Sequence, residues 1–184
     1  MYKTIDVAHS FVKPHISQGD ICIDATCGAG FDTAFLSTAA GAYGKVLSFD
    51  IQHEAIETAK LNIADHPFYS NITFINSGHQ HIDEYAEKAT VSCIMFNLGW
   101  LPGGNHEIRT KTQTTISAIT KSLTLIKPTG IISLCLYCGK EMGHDEKKAV
   151  LEFAKKLPSE FDVIYIDYLN KNNPPTNLFI VRKY

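Results

Sequence analysis

The stretch DATCGAGFDT, residues 24–33, sets two glycines, Gly28 and Gly30, between carboxylates at Asp24 and Asp32. Glycines at such spacing let the backbone turn tightly and approach a ligand without Cβ contact, and a helix starting behind them presents unpaired N–H groups. Twenty residues past Gly30, Asp50 ends the apolar run KVLSFDI, where a carboxylate can accept both hydroxyl hydrogens of a ribose. The expected ligand is an adenosine derivative, lined by Asp24, Thr26, Cys27, Gly28, Ala29, Gly30, Asp32, Thr33, Asp50, Ile51 and Gln52. A dinucleotide fold uses a similar turn, but its fingerprint asks for Gly or Ala where this chain has Thr33. A carboxylate at Asp24 would also repel a pyrophosphate, whereas it suits the ammonium and sulfonium of S-adenosylmethionine. The structural alternative is that Asp24 and Asp32 only cap the loop and the helix.

A second informative stretch is FNLGWLPGG, residues 96–104. The amide oxygen of Asn97 can accept a hydrogen bond from an amine, Leu98 and Gly99 admit close backbone approach, and Trp100 offers a wall for a base. Asn97, Leu98, Gly99 and Trp100 are therefore the candidate catalytic group, with Asn97 also placed to touch the cofactor. Pro102 begins a hinge that leads to His106 and Arg109, which together with Trp100, Lys140 and His144 form the candidate substrate set. SGHQHI, residues 77–82, falls where an adenine edge would rest, so that Gly78 and His79 could line it or simply form a polar turn. Methyl transfer from a sulfonium is an in-line displacement that needs a neutral nucleophile on the S–CH3 axis and little else. An amine acceptor must lose its proton first, and His106 or His144 is placed to take it.

These side chains must be positioned by alternating elements. Apolar runs at 21–26, 45–51, 72–76, 91–97, 130–137, 161–169 and 177–183 predict seven strands. Helical stripes fall between them, at 32–40, 53–65, near 81–88, at 111–125 and 145–156, after an amphipathic segment at 5–16. Strands alternating with helices imply an α/β, Rossmann-like, mostly parallel sheet with helices on both faces. Only NKNNPPT separates the last two strands, too short for a helical crossover, so the last strand should be antiparallel. The 184 residues suit one domain spanning 1–184, and no apolar run reaches the roughly 18 residues of a membrane span. A net charge of −2 gives no global nucleic-acid signature. A cytoplasmic protein, monomer or homodimer, with no membrane contact is expected. Cys135 and Cys138 form a lone C-x-x-C without a second pair, so no metal site is expected.

The combination DATCGAGFDT, FDIQHEAI at 49–56, FNLGWLPGG, LYCGKEMGHDEKKAV at 136–150 and NKNNPPTNLFIV at 170–181 resembles the small class I methyltransferases of the rRNA methylase family. FDIQ and NLGWLPGG are the more family-specific parts, the glycine loop being common to all class I methyltransferases. The resemblance spans nearly the whole chain. It implies an S-adenosylmethionine-dependent enzyme acting on tRNA, methylating the exocyclic amine of wobble 5-aminomethyl-(2-thio)uridine to the methylaminomethyl form. Other amine acceptors, in rRNA, proteins or small molecules, and a non-catalytic S-adenosylmethionine-binding RNA module are the alternatives. The chain departs from the family at Cys138, Gly139 and Lys140, where histidines are usual, and at Ala29 and Phe31, where Asn and His are common. If those histidines handle the substrate, this chain either shifts the task to His144 or Lys140 or prefers a different acceptor. RNA contact would fall to Lys13, Arg109, Lys111, Lys140, Lys147, Lys148 and Lys171.

Overall fold

A computed structural model describes residues 3–101, 108–137, 143–171 and 174–184. The elements alternate as the apolar runs require. Helix α1 (Thr4–Val12) precedes β1 (Ile21–Asp24), α2 (Phe31–Ala40), β2 (Lys45–Asp50), α3 (His53–Asn62), β3 (Ile72–Asn76) and β4 (Val91–Leu98). Helix α4 (Thr112–Leu125), β5 (Ile126–Leu136), α5 (His144–Ala154), β6 (Phe161–Ile166) and β7 (Thr176–Arg182) follow. The strands form one seven-stranded sheet in the order β3-β2-β1-β4-β5-β7-β6. β1 to β5 are parallel, and β7 runs antiparallel to both β5 and β6. The expected hairpin is present, with Ile166 opposite Asn177.

Each central strand is buried on both faces, so consecutive side chains feed two separate cores. On one face Cys22, Val46, Cys93, Met95 and Phe179 meet Ala8 and Val12 of α1 and Leu36 and Ala40 of α2. On the other, Ile23, Leu47, Ile94, Phe96 and Leu134 meet Ala118 and Ile119 of α4 and Val150 of α5. In α3 the expected stripe Ala55, Ile56, Ala59 and Ile63 is buried. Among the described residues no helix is long and apolar enough to cross a membrane.

Three local expectations shift. The helix expected near 81–88 is a 3-10 turn over His79–Glu84 that buries Ile82. Strand β5 begins at Ile126 rather than at residue 130, because Ile126 pairs with Val91 before the register jumps to Cys93–Ile131. Lys127 to Gly130 form the bulge, with Thr129 at φ +67, so Pro128 and Gly130 mark an irregularity inside the strand rather than its border. Lys13 adjoins His15, whose Nδ1 lies 2.8 Å from the Thr129 carbonyl, and so sits at the amino-terminal edge of the parallel strands, away from the glycine loop.

Gly30, at the start of α2, needs glycine for its backbone angle and for space. Its φ is +86, and a Cβ there would stand 3.0 Å from the Ala59 Cβ of α3. Gly30→Ala should therefore cost about 1–2 kcal/mol from the left-handed backbone alone, with the crowding in addition. Urea unfolding of the purified variant would measure it, with a lowered midpoint and an unchanged slope as the expected result.

Candidate active site at the carboxyl ends of the parallel strands

The chain reverses its winding direction between β1 and β4, the switch point at whose carboxyl ends ligands bind in open α/β sheets. The glycine loop is stitched there by backbone bonds. The Cys27 N–H donates to the Phe49 carbonyl at 2.7 Å and the Gly30 N–H to the Cys27 carbonyl at 2.8 Å. The Asn62 amide of α3 donates to the Ala29 carbonyl at 3.0 Å. Thr26 Oγ1 accepts the Asn97 N–H at 2.7 Å, which ties the loop to the end of β4.

Asp24 is buried beneath this loop, and its oxygens accept the Thr33 hydroxyl at 2.6 Å and the Thr26 N–H at 3.1 Å. Thr33 Oγ1 lies 2.7 Å from the Ser48 hydroxyl. With the Thr33 proton committed to Asp24, Ser48 is the donor, and one buried chain joins β1, α2 and β2. Asp24 thus braces the loop from inside, as the capping alternative supposes. Its charge still matters. Burial, then the nearby charge of Asp32, pushes its carboxyl up to about 7.

Asp50 closes β2, where its oxygens accept the Gly28 and Gln52 N–H groups, both at 2.9 Å. Burial raises its carboxyl above the usual range, against the lowering effect of these backbone donors. Ile51 is exposed beside it. Asp32 departs from the expected role as a helix cap: α2 has no side-chain cap, and Asp32 turns back into the protein. One oxygen of Asp32 meets His9 Nε2 of α1 at 2.6 Å, and the other accepts the Asn97 side-chain amide. Asn97 Oδ1 is then left buried without a partner among the described residues.

Gly78 and His79 lie beside the loop, but both are buried. The His79 ring stands edge-on to Phe96 at 5.7 Å, bonds toward the Ala25 backbone, and has its pKa pushed down to about 4 by burial. It is a neutral imidazole whose Nε2 finds no partner among the described residues. Burial also pushes the Cys27 thiol up to about 12, which removes it as a nucleophile.

Beyond Leu98 the chain forms the wall of a second space. Trp100 pairs with Arg109 in an antiparallel bridge. The Thr110 N–H donates to the Gly99 carbonyl at 2.9 Å, and the Gly99 N–H donates to Thr110 Oγ1 at 3.0 Å. The resulting cleft, about 450 Å³, is lined by Gly99, Trp100, Arg109, Lys111, Tyr137, His144 and Glu146. Trp100, Arg109 and His144 are thereby brought together as expected, while Pro102, His106 and Lys140 lie outside the described residues, as do Gly103, Gly104, Cys138 and Gly139. Glu146 was not singled out by any motif. It accepts the Thr110 and Thr115 hydroxyls, each at 2.7 Å, and so holds the start of α5 against the loop. His9 was equally silent, being a polar residue in an amphipathic helix.

The raised pKa of Asp24 fixes a sign. Its ordinary value is near 4 and its folded value about 7, so the folded state binds the proton more tightly and the carboxyl's contribution to stability falls as pH rises between those values. Asp24→Asn keeps one oxygen acceptor for one of the two donors, the Thr33 hydroxyl or the Thr26 N–H, but has no proton to lose. Its melting temperature relative to wild type should rise from pH 4 toward pH 7, measured by thermal denaturation at constant ionic strength.

Residues 46–182 match the family described as "Putative rRNA methylase". The chloroplast tRNA (mnm(5)s(2)U34)-methyltransferase of Arabidopsis thaliana is 35% identical over 192 residues, covering 98% of this chain and 70% of that protein. Among solved structures, an rRNA methylase of Clostridium thermocellum is 38% identical, covers 99% of this chain and 98% of its own, and superposes with a TM-score of 0.94. A methyltransferase of Streptococcus mutans, solved in complex with SAH, is 33% identical over 99% of both chains with a TM-score of 0.88. A profile match across most of the sequence, and end-to-end agreement with relatives above 30% identity, give one conclusion: the chain is a class I methyltransferase and belongs to the rRNA methylase family.

Proposed function

We propose that the protein uses S-adenosylmethionine to methylate the exocyclic amine of 5-aminomethyl-(2-thio)uridine at the wobble position of tRNA. The observation that carries this is Asn97, tied to the glycine loop through Thr26 and two residues before Gly99 of the second cleft, with its buried amide oxygen unpartnered among the described residues. The 35% identity to a tRNA (mnm(5)s(2)U34)-methyltransferase supports the acceptor.

The residues present fit the donor. Asp24, Asp32 and Asp50 gather at one loop, and none of the Lys–carboxylate pairs found among the described residues involves them. Such a concentration of negative charge favours a cation. Asp50 has lone pairs to spare after its two backbone donors, enough for ribose hydroxyls. S-adenosylmethionine supplies there a methyl group on a positively charged sulfur. The protein's own work is placement.

The acceptor enters from the other side. Glu146 gives that cleft a carboxylate that draws an aminomethyl cation, and Trp100 gives the uracil ring a flat surface. Arg109 and Lys111 at the same cleft offer phosphate contacts. His144, exposed at the mouth, takes the amine proton. The freed lone pair would take the methyl group that the donor supplies, while Asn97 Oδ1 accepts a remaining N–H and fixes its direction.

Incubation of hypomodified tRNA with protein and donor, followed by mass spectrometry of the nucleosides, should convert 5-aminomethyl-(2-thio)uridine to its methylaminomethyl form. Persistence of that nucleoside while another gains the methyl would overturn the acceptor. Asn97→Ala should lower kcat by about 100-fold through loss of orientation, with donor affinity by calorimetry little changed. Asp50→Ala should instead weaken donor binding by about tenfold or more, since hydrogen bonds to a charged group are lost.

A further inference from the structure

We propose that His9, on the amino-terminal helix, is a positioning residue for methyl transfer, acting through Asp32 to fix the orientation of the Asn97 amide. The inference rests on the reading above that Asn97 orients the reacting amine. Three side chains from three elements form the line: His9 from α1, Asp32 from α2 and Asn97 from β4.

The chemistry of the groups sets its direction. An ionised carboxylate only accepts hydrogen bonds, so both neighbours of Asp32 must be donors. His9 Nε2 therefore carries the proton in its 2.6 Å contact with Asp32. The Asn97 atom facing Asp32 must for the same reason be the NH2 group, and Oδ1 is forced to the opposite side. The amide of an asparagine is nearly symmetric in shape, so without Asp32 as acceptor nothing in its outline tells the two ends apart. The Asn97 backbone is fixed independently, by its N–H to Thr26 Oγ1. Side chain and main chain are thus pinned at two points, and the remaining lone pairs point where a donor is absent.

His9 is itself held rigidly. Its ring stacks on Phe35 of α2 with centroids 3.7 Å apart and planes inclined by 4°. Helix α1 is moored to β7, since Asn177 donates to the Thr4 carbonyl at 3.1 Å and Phe11 stacks on Phe179 at 4.1 Å. Asp32 is 4% exposed and His9 25%, so His9 shields one edge of a carboxylate that would otherwise lose a donor in a poorly hydrated place. With that donor gone, the Asp32 carboxylate loses the contact that holds it in register with the Asn97 amide. The amide can then turn, and the oxygen no longer faces the amine.

Two variants separate this role from packing. His9→Phe keeps a ring against Phe35 but has no N–H, whereas His9→Gln carries an amide N–H close to the position of Nε2. With full-length protein and hypomodified tRNA, His9→Phe should lower kcat between about tenfold and about a hundredfold, the range expected for a misplaced orienting group, with KM for tRNA and calorimetric donor affinity unchanged. His9→Gln should recover most of the wild-type kcat. Circular dichroism and melting temperature establish that both variants are folded. A wild-type kcat in folded His9→Phe, or a His9→Gln no faster than His9→Phe, overturns the relay. Wild-type protein that moves no methyl to any tRNA nucleoside would instead sink the underlying function, and the relay with it.

Discussion

A carboxylate sealed beneath the glycine loop sets the terms for everything around it. Asp24 has no exposed surface, and a buried carboxylate is tolerable only when donors surround it. Those donors are the Thr26 N–H of the loop and the Thr33 hydroxyl from the first turn of α2, which in turn accepts from Ser48 of β2. The start of α2 therefore cannot rotate against the sheet without stripping hydrogen bonds from the least exposed acid among the described residues. The left-handed Gly30 and its contact with Ala59 follow from the same restraint, since the loop must turn sharply to deliver Thr33 to Asp24. With Asp32 and Asp50 close enough to disturb Asp24, the folded loop holds more negative charge than its hydrogen bonds neutralise. A cationic ligand relieves that imbalance, so the feature that rigidifies the loop also selects what the loop holds.

The sheet was legible in the sequence because its strands are short apolar runs with turn residues between them, and parallel pairing leaves both faces buried. The antiparallel end was legible from chain length alone: NKNNPPT cannot carry a crossover. What escaped was local. The segment KPTG carries Pro128 and Gly130, ordinary signs of a turn, yet β5 passes through it as a bulge, because Ile126 gains a fully buried place opposite Val91. Residues 81–88 have helical spacing but too few apolar contacts for more than a 3-10 turn.

At the site, Asp50 and Asn97 were legible because each is a polar residue ending an apolar strand, a position that strand burial explains poorly and ligand contact explains well. Asp32 was legible as a residue and not as a role. An acid in a first helical turn usually serves the helix, and only the packing of α1 across α2 brings His9 near enough to claim it. Glu146 is hidden for a related reason: its partners Thr110 and Thr115 lie on the loop and helix that follow β4, more than thirty residues earlier in the chain. No spacing rule links positions that meet only through tertiary contact.

This division matters for how methyl transfer is controlled. The displacement demands that sulfur, carbon and nitrogen lie on one line, and a small angular error costs rate even when both reactants are bound. In the proposed reaction donor and acceptor take different walls, the first built on sheet ends and buried hydrogen bonds, the second on the turn through Trp100 and the start of α5. Asn97 stands between them in the chain, with its backbone tied to the donor loop, its side chain bonded to Asp32, and Gly99 of the second cleft two residues on. On the proposed reading, alignment across the two walls is set at one amide, and the groups that hold that amide bear on kcat more than on affinity. A loop substitution on the acceptor wall can change which amine is bound, whereas the angle of attack is inherited from the sheet.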